Sequence, residues 1–335
     1  MTAVEEAWRA LRVEGRTEPG WHVRRIHGNA PCEILAGVRQ PDALPGLLLE
    51  VDVGDIPSGL TFPQSRGFVV DPVLLDGGAV GRARFALALA DRAYEAVFTV
   101  LCEDTAAAAS RAARPRQALR DWVGRLHVWQ EFMARHGSDG LSDAAATGLY
   151  GELWFLRDRL APRAGIEVSI DTWSGPLGEP NDFALPMGFV EVKTTTRQVP
   201  ELIEISDLDQ LDDRRGRILL AHLRLQPNPQ GESLAQLVSS VRAAAATAGG
   251  DRLRRLNDLL LAAGYLDAHA DQYGRTWHVT GVDLFSVADG FPRLRRDDTR
   301  PGVRSCRYSI EVAACSAHTV GAQALHALIQ EGGNG

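Results

Sequence analysis

Asp182, Glu191 and Lys193 stand close together in a 335-residue chain and are of the types that phosphodiester hydrolysis requires. In Phe189-Val190-Glu191-Val192-Lys193-Thr194, apolar and charged residues alternate. On a strand this puts Glu191 and Lys193 on one face and Val190 and Val192 on the other. Pro186-Met187-Gly188 reads as a turn, so the segment starting near Asp182 folds back as a hairpin and brings Asp182 beside Glu191. Two neighbouring carboxylates are hard oxygen ligands suited to Mg²⁺. Such an ion polarises a phosphate and acidifies a bound water. A lysine beside them positions or deprotonates that water, whereas arginine does not give up its proton. Lys193 is the only lysine of the chain; the rest of its 36 basic residues are arginine. Taken alone, the Glu-Val-Lys triplet fits a salt-bridged surface strand better than a site. Asp182 at hairpin distance and the singular lysine favour a site.

The elements that must position these residues can be read from the surrounding pattern. Leu149, Leu153, Leu156 and Leu160 recur at helical spacing, predicting a helix from about Ser142 to Leu160 that Pro162 ends. Glu152 borders its apolar stripe, where a carboxylate needs a partner. Gly148 and Gly151 would let the backbone approach its neighbour closely. Extended pieces are expected at Glu167–Ile170, Asn181–Leu185, Gly188–Thr194, Leu202–Ile205 and Arg217–Leu225, with a short helix from Ser206 to Leu211. Ser233–Ala248 and Leu253–Ala263 read as helices, Trp277–Val287 and Cys306–Ala314 as strands, and Val320–Gln330 as a final helix. That order predicts an α/β (α+β) domain with a mixed sheet.

The region before it reads differently. Trp21–Ile26, Cys32–Val38, Gly46–Val53, Gly67–Leu75, Arg82–Ala90 and Tyr94–Cys102 are short apolar segments punctuated by Gly, Pro and Asp, as in a β-rich domain. Gly77, Gly78 and Gly81 suggest a loop or hairpin. A helical pattern then runs from Ala106 to about Arg135, broken or started by Pro115, and could bridge two units. The expected division is 1–105, β-rich, and 106–335, the α/β domain with its leading helices, in line with a length beyond one hydrophobic core.

The wider pattern resembles a known family. Gly151-Glu152-Leu153-Trp154-Phe155-Leu156, Trp173-Ser174-Gly175-Pro176, Pro180-Asn181-Asp182-Phe183, the stretch from Glu191 to Thr195 and the stretch from Ser206 to Leu211 are similar to a bacterial family classed with the PD-(D/E)XK nucleases. That superfamily includes type II restriction endonucleases, and the family is associated with restriction or phage-defence gene neighbourhoods. Asn181 separates Pro180 from Asp182, so the literal Pro-Asp pair is absent. The resemblance implies a restriction-endonuclease-like mixed-sheet core and metal-dependent cleavage of DNA. Asp182 and Glu191 would hold Mg²⁺, or Mn²⁺ in its place, with the Val192 carbonyl as third ligand. Lys193 would act on the attacking water, Glu152 would stand beside the metal, and Gln210 would be a polar helper, although a helix-capping role suits Gln210 as well. DNA is the implied partner; other restriction or defence proteins and a homodimer are compatible with it.

Composition bounds the alternatives. A 45% hydrophobic and 24% charged chain is ordinary for a globular protein, and its net charge of −7 argues against non-specific coating of nucleic acid. Only a groove need be positive. Arginines cluster at Arg214, Arg215 and Arg217, at Arg252, Arg254 and Arg255, and between Arg293 and Arg307, where solvated surface is the simpler reading. Cys32, Cys102, Cys306 and Cys315 lack metal-site spacing and read as free thiols. The histidines, His222, His269 and His278 among them, form no ligand pair. No apolar run spans a bilayer and the start carries no basic secretory pattern, so a cytoplasmic protein is expected. Walker A, Gly-x-Ser-x-Gly and Rossmann fingerprints are missing. The competing function is a non-catalytic module that binds DNA or a partner on a nuclease scaffold, which would not need all three of Asp182, Glu191 and Lys193.

Overall fold

A computed structural model of the protein describes residues 2–74, 81–196 and 201–330. Its contacts divide the chain into two units, Met1–Gly140 and Leu141–Gly335.

In the first unit, helix α1 (Ala3–Glu14) precedes an antiparallel sheet of β1 (Gly20–Ile26), β2 (Glu33–Gln40), β3 (Leu44–Asp52), β4 (Phe68–Leu74) and β5 (Arg82–Leu89), in the order β1-β2-β3-β5-β4. Two helices follow, α2 (Glu95–Ser110) and α3 (Pro115–His136). The expected strand at Tyr94–Cys102 is therefore a helix. Its buried residues, Val97, Phe98, Leu101, Cys102, Thr105, Ala106 and Ala109, fall on one helical stripe that continues through the alanines. Both helices pack within this unit, against each other and against β3, and both fall inside Met1–Gly140, whereas the expected division stood at 105. Gly77 and Gly78, read as a loop, lie outside the described residues; Gly81 has the left-handed φ of a turn, +102°.

The second unit opens with α4 (Asp143–Phe155), capped by Ser142, whose hydroxyl accepts from the Ala145 N–H at 3.2 Å. A wide turn at Leu156–Leu160 leads to α5 (Ala161–Ala164), and Gly165, at φ +83°, redirects the chain into α6 (Ile166–Thr172). The strand expected at Glu167–Ile170 is thus helical. Ser169 and Thr172 hydroxyls donate to the Gly165 and Val168 carbonyls, closing turns that β-branched residues disfavour locally, while Ile170 is buried.

Strands β6 (Phe183–Leu185), β7 (Gly188–Thr195), β8 (Leu202–Ile205) and β9 (Ile218–Ser233) follow, then α7 (Leu234–Thr247), α8 (Gly250–Ala262), β10 (Thr276–Val287), β11 (Tyr308–Glu311) and α9 (Ala322–Ile329). One sheet has the order β10-β9-β7-β6, with β7 and β9 parallel and the other pairs antiparallel; β11 and β8 form a separate antiparallel pair. This is the expected mixed α/β arrangement. Differences are local: only Tyr308–Glu311 of Cys306–Ala314 is a strand, and Ser206–Leu211 supplies a short 3-10 turn at Leu208–Leu211.

The sheet is apolar on both faces, but not evenly. Val190, Val192, Leu219, Ala221 and Leu223 join Leu149, Leu153, Leu237 and Val241 of α4 and α7 in one core. Leu220 and Phe285 pack against Ile203, Ile205 and Ile310 of the β8–β11 pair in another. Glu191, Lys193 and His222 begin the polar part of that second face, which Arg224 and Asp283 continue.

Candidate active site

The β6–β7 hairpin forms as the sequence implies: Phe183 pairs with Val190 and Leu185 with Gly188. Because β6 is only three residues long, it leaves the Val192 N–H without a strand partner. The Asp182 carboxylate takes that N–H, Oδ2 accepting at 2.7 Å. Asp182 is therefore held at the sheet's edge, between its two faces.

From one side comes α4. Gly151 lies so close to β7 that a Cβ there would run into the Thr194 hydroxyl, as expected for that glycine; a Cβ at Gly148 would meet open space, contrary to expectation. The close approach carries Glu152 to the site, and its carboxylate finds the partner that burial demands: the indole N–H of buried Trp173 donates to Oε2 at 2.8 Å. Gly175 completes the junction. A Cβ on it would stand 2.9 Å from Asp182 Oδ1 and 3.3 Å from Glu152 Oε2, so both carboxylates face the same bare backbone. The Ser174 and Gly175 N–H groups donate to the Asp182 carbonyl at 2.8 and 3.0 Å. The Trp-Ser-Gly turn thus clamps Asp182 from behind.

On the other side Glu191, 1% exposed, is bonded to Lys193, whose ammonium donates to Oε1 at 2.9 Å. Lys193 also donates to Gln210 Oε1 at 3.1 Å, and that oxygen accepts from the Ser206 N–H at 3.0 Å. Gln210 sits on the Leu208–Leu211 turn. Arg296 pairs with Asp209, Arg293 donates to the Leu211 carbonyl and pairs with Asp213, and Arg214 pairs with Asp212. Arginines that read as solvated surface here fasten the turn that holds Gln210.

Every residue singled out from the sequence, Glu152, Asp182, Glu191, Val192, Lys193 and Gln210, therefore belongs to one connected cluster. Three members were missed. Trp173 carried a signal, since a buried indole N–H needs an acceptor. Gly175 and Asn181 are defined only by contacts across the fold. The Asn181 amide, 3% exposed, donates to the Gln210 carbonyl at 2.7 Å and stands 3.4 Å from Glu191 Oε2.

Three carboxylates share one lysine, and the electrostatics register the excess. Burial, then the Asp182 charge, pushes Glu191 up to about 8 against the pull of Lys193 and Asn181. Burial raises Asp182 to about 6, opposed by Lys193 and the Val192 N–H. Burial and the Asp182 charge push Glu152 well above the carboxylate range. Burial by itself would lower Lys193, but Glu191, Asp182 and Glu152 outweigh it and hold the ammonium charged.

Such uncompensated oxygen donors fit a hard divalent cation. Among the described residues no three His, Cys, Asp or Glu side chains stand ready to hold an ion by themselves. Mg²⁺ ordinarily keeps several waters and needs only one or two carboxylates from a protein. A pocket of about 550 Å³ opens beside Lys193, lined also by Thr147, Thr195, His222 and Arg275.

A family model described as "Putative PD-(D/E)XK family member (DUF4420)" matches residues 4–313. The chain belongs to this family. The match spans both units, so the sheet of the first unit is part of what this PD-(D/E)XK family member shares with its relatives. No curated protein and no solved structure matches the chain. Among the described residues, no helix is long and apolar enough to cross a membrane.

Proposed function

We propose that this PD-(D/E)XK family member is a metal-dependent DNA endonuclease that hydrolyses phosphodiester bonds at the cluster of Asp182, Glu191 and Lys193, in a restriction or phage-defence system. One observation carries the reading: Glu191, buried at 1% exposure and raised to about 8, is clustered with Asp182, Glu152 and one lysine. A fold does not bury that much like charge for stability. Asp182, Glu191 and the Val192 carbonyl would hold Mg²⁺ or Mn²⁺. When bound, the ion supplies charge stabilisation at the phosphate and acidifies water.

The chain's own groups do the rest. Lys193, kept charged and oriented by Gln210, holds the attacking water and the phosphate oxygen by hydrogen bonds. Glu152, steadied by Trp173, takes the site's surplus proton or orients a water. The pocket beside Lys193 receives the strand, with Thr195 and Arg275 on its walls. The domain division proposed with this reading places the nuclease site wholly in Leu141–Gly335. The protein acts in the cytoplasm, alone or as a homodimer.

The test is direct. Purified protein should nick supercoiled plasmid with Mg²⁺ or Mn²⁺ and not with EDTA, and Glu191→Ala should lose at least about a hundredfold in rate. Wild-type protein inert on modified, unmodified and single-stranded DNA would instead support a binding module on a nuclease scaffold.

A further inference from the structure

Asn181 is the residue that breaks the literal Pro-Asp pair, yet it is among the most constrained in the site. Its backbone carbonyl accepts from the Ser174 hydroxyl at 3.1 Å, and its side chain is almost fully buried. The contacts close a ring. Asn181 Nδ2 reaches the Gln210 carbonyl and Glu191 Oε2; Glu191 Oε1 accepts from Lys193; Lys193 donates to Gln210 Oε1.

We infer that Asn181 is a positioning residue for the proposed reaction: its amide keeps one oxygen of the Glu191 carboxylate, Oε2, off the Lys193 ammonium that already holds Oε1, so that the carboxylate stays open to a divalent ion. The inference rests on the nuclease reading above. Glu191 has two oxygens and two neighbours, and Lys193 already holds one of them at 2.9 Å. If Asn181 released the other, the carboxylate would settle wholly on the ammonium. An ion would then have to compete with a complete buried ion pair.

The residue type follows from the chemistry. The group must donate to a carboxylate without neutralising it, which excludes Lys and Arg, and without adding negative charge, which excludes Asp. It must also donate to the Gln210 carbonyl from the same short side chain. An amide carries two N–H bonds on one nitrogen; a serine or threonine hydroxyl carries one donor. Asn at this position meets all three conditions.

Manganese binding to the full-length chain tests this, by titration calorimetry at pH 7.5 on wild type, Asn181→Ala and Asn181→Ser. Both variants should bind Mn²⁺ about tenfold more weakly, with kcat reduced and KM for DNA unchanged. A variant that folds and binds Mn²⁺ within twofold of wild type overturns the inference, even if its melting temperature has dropped. Should the alanine variant not fold, the serine variant decides. Wild-type protein with no affinity for Mn²⁺ overturns the nuclease reading and this inference with it. Wild type that binds Mn²⁺ but cuts nothing defeats the nuclease reading only, and the Mn²⁺ affinities still decide the role of Asn181.

Discussion

Without metal, this protein should become less stable as pH rises from 6.5 to 8, and replacing Glu191 by glutamine should remove part of that loss. Glu191 ionises near 8 in the folded chain against 4.5 for the ordinary group. Between those values the folded state holds a proton that the unfolded state has released, so stability falls as pH rises. A single such group costs on the order of 1–2 kcal/mol between pH 6.5 and 8. Glu152, raised for the same reasons, adds to the fall. Asp182, raised to about 6, adds a little to the fall at the lower end of the window. Burial lowers His222 from 6.5, so its unfolded form is still releasing its proton at the lower limit and His222 offsets part of the fall there. Asp209 and Asp212, lowered from 3.8 by Arg296 and Arg214, remain charged throughout. Lys193, raised from 10.5, does so too. For a unit of this size the fall corresponds to about 3–6 °C in Tm. Scanning calorimetry in EDTA at the two pH values, on wild type and Glu191→Gln, measures it. A wild-type Tm that is flat or rising over the window, or a fall equally steep in Glu191→Gln, would refute the argument.

Other consequences can be checked with the same preparations. Mg²⁺ or Mn²⁺ should raise Tm more at pH 8 than at 6.5, because protons compete for the same carboxylates at the lower pH; equal shifts would place the ion elsewhere. Lys193→Met should lose at least about a hundredfold in cleavage rate while still binding DNA in a gel-shift assay, since the lysine acts on the water. Gly151→Ala should cost about 1–3 kcal/mol by denaturant titration, because its Cβ meets the Thr194 hydroxyl. Gly148→Ala, facing open space on the same helix, should be neutral or stabilising by up to about 1 kcal/mol. Trp173→Phe removes the indole N–H that donates to Glu152 and should cost about 1–3 kcal/mol, read as a lower Tm.

What was legible in the sequence is what repeats with a local period. Alternation in β7 put Glu191 and Lys193 on one face, the Pro-Met-Gly turn brought Asp182 back, and the leucine stripe of α4 placed Glu152 at its border. The failures have local causes as well. Ile166, Val168 and Ile170 read as extended because β-branched residues favour strands, yet side-chain bonds to the Gly165 and Val168 carbonyls and burial of Ile170 hold α6. The start of α2 resembled a strand because Val97, Phe98, Thr99 and Val100 are β-branched or aromatic, although the alanines that continue its stripe are strong helix formers. Helices α2 and α3 fall inside Met1–Gly140 because they pack on β3, a contact that no local pattern announces. Asn181 and Gly175 belong to the same class. Their meaning lies in the Gln210 carbonyl and the Glu152 carboxylate, both distant in sequence.

The central claim is that Asp182 and Glu191 form a divalent-ion site next to Lys193. Diffraction from crystals soaked in Mn²⁺, collected to reveal its anomalous signal, tests it without depending on the right DNA substrate. The account predicts one peak about 2.1 Å from a carboxylate oxygen of each of Asp182 and Glu191 and from the Val192 carbonyl. A saturating soak that leaves the Glu191–Lys193 pair intact and shows no peak there would contradict it.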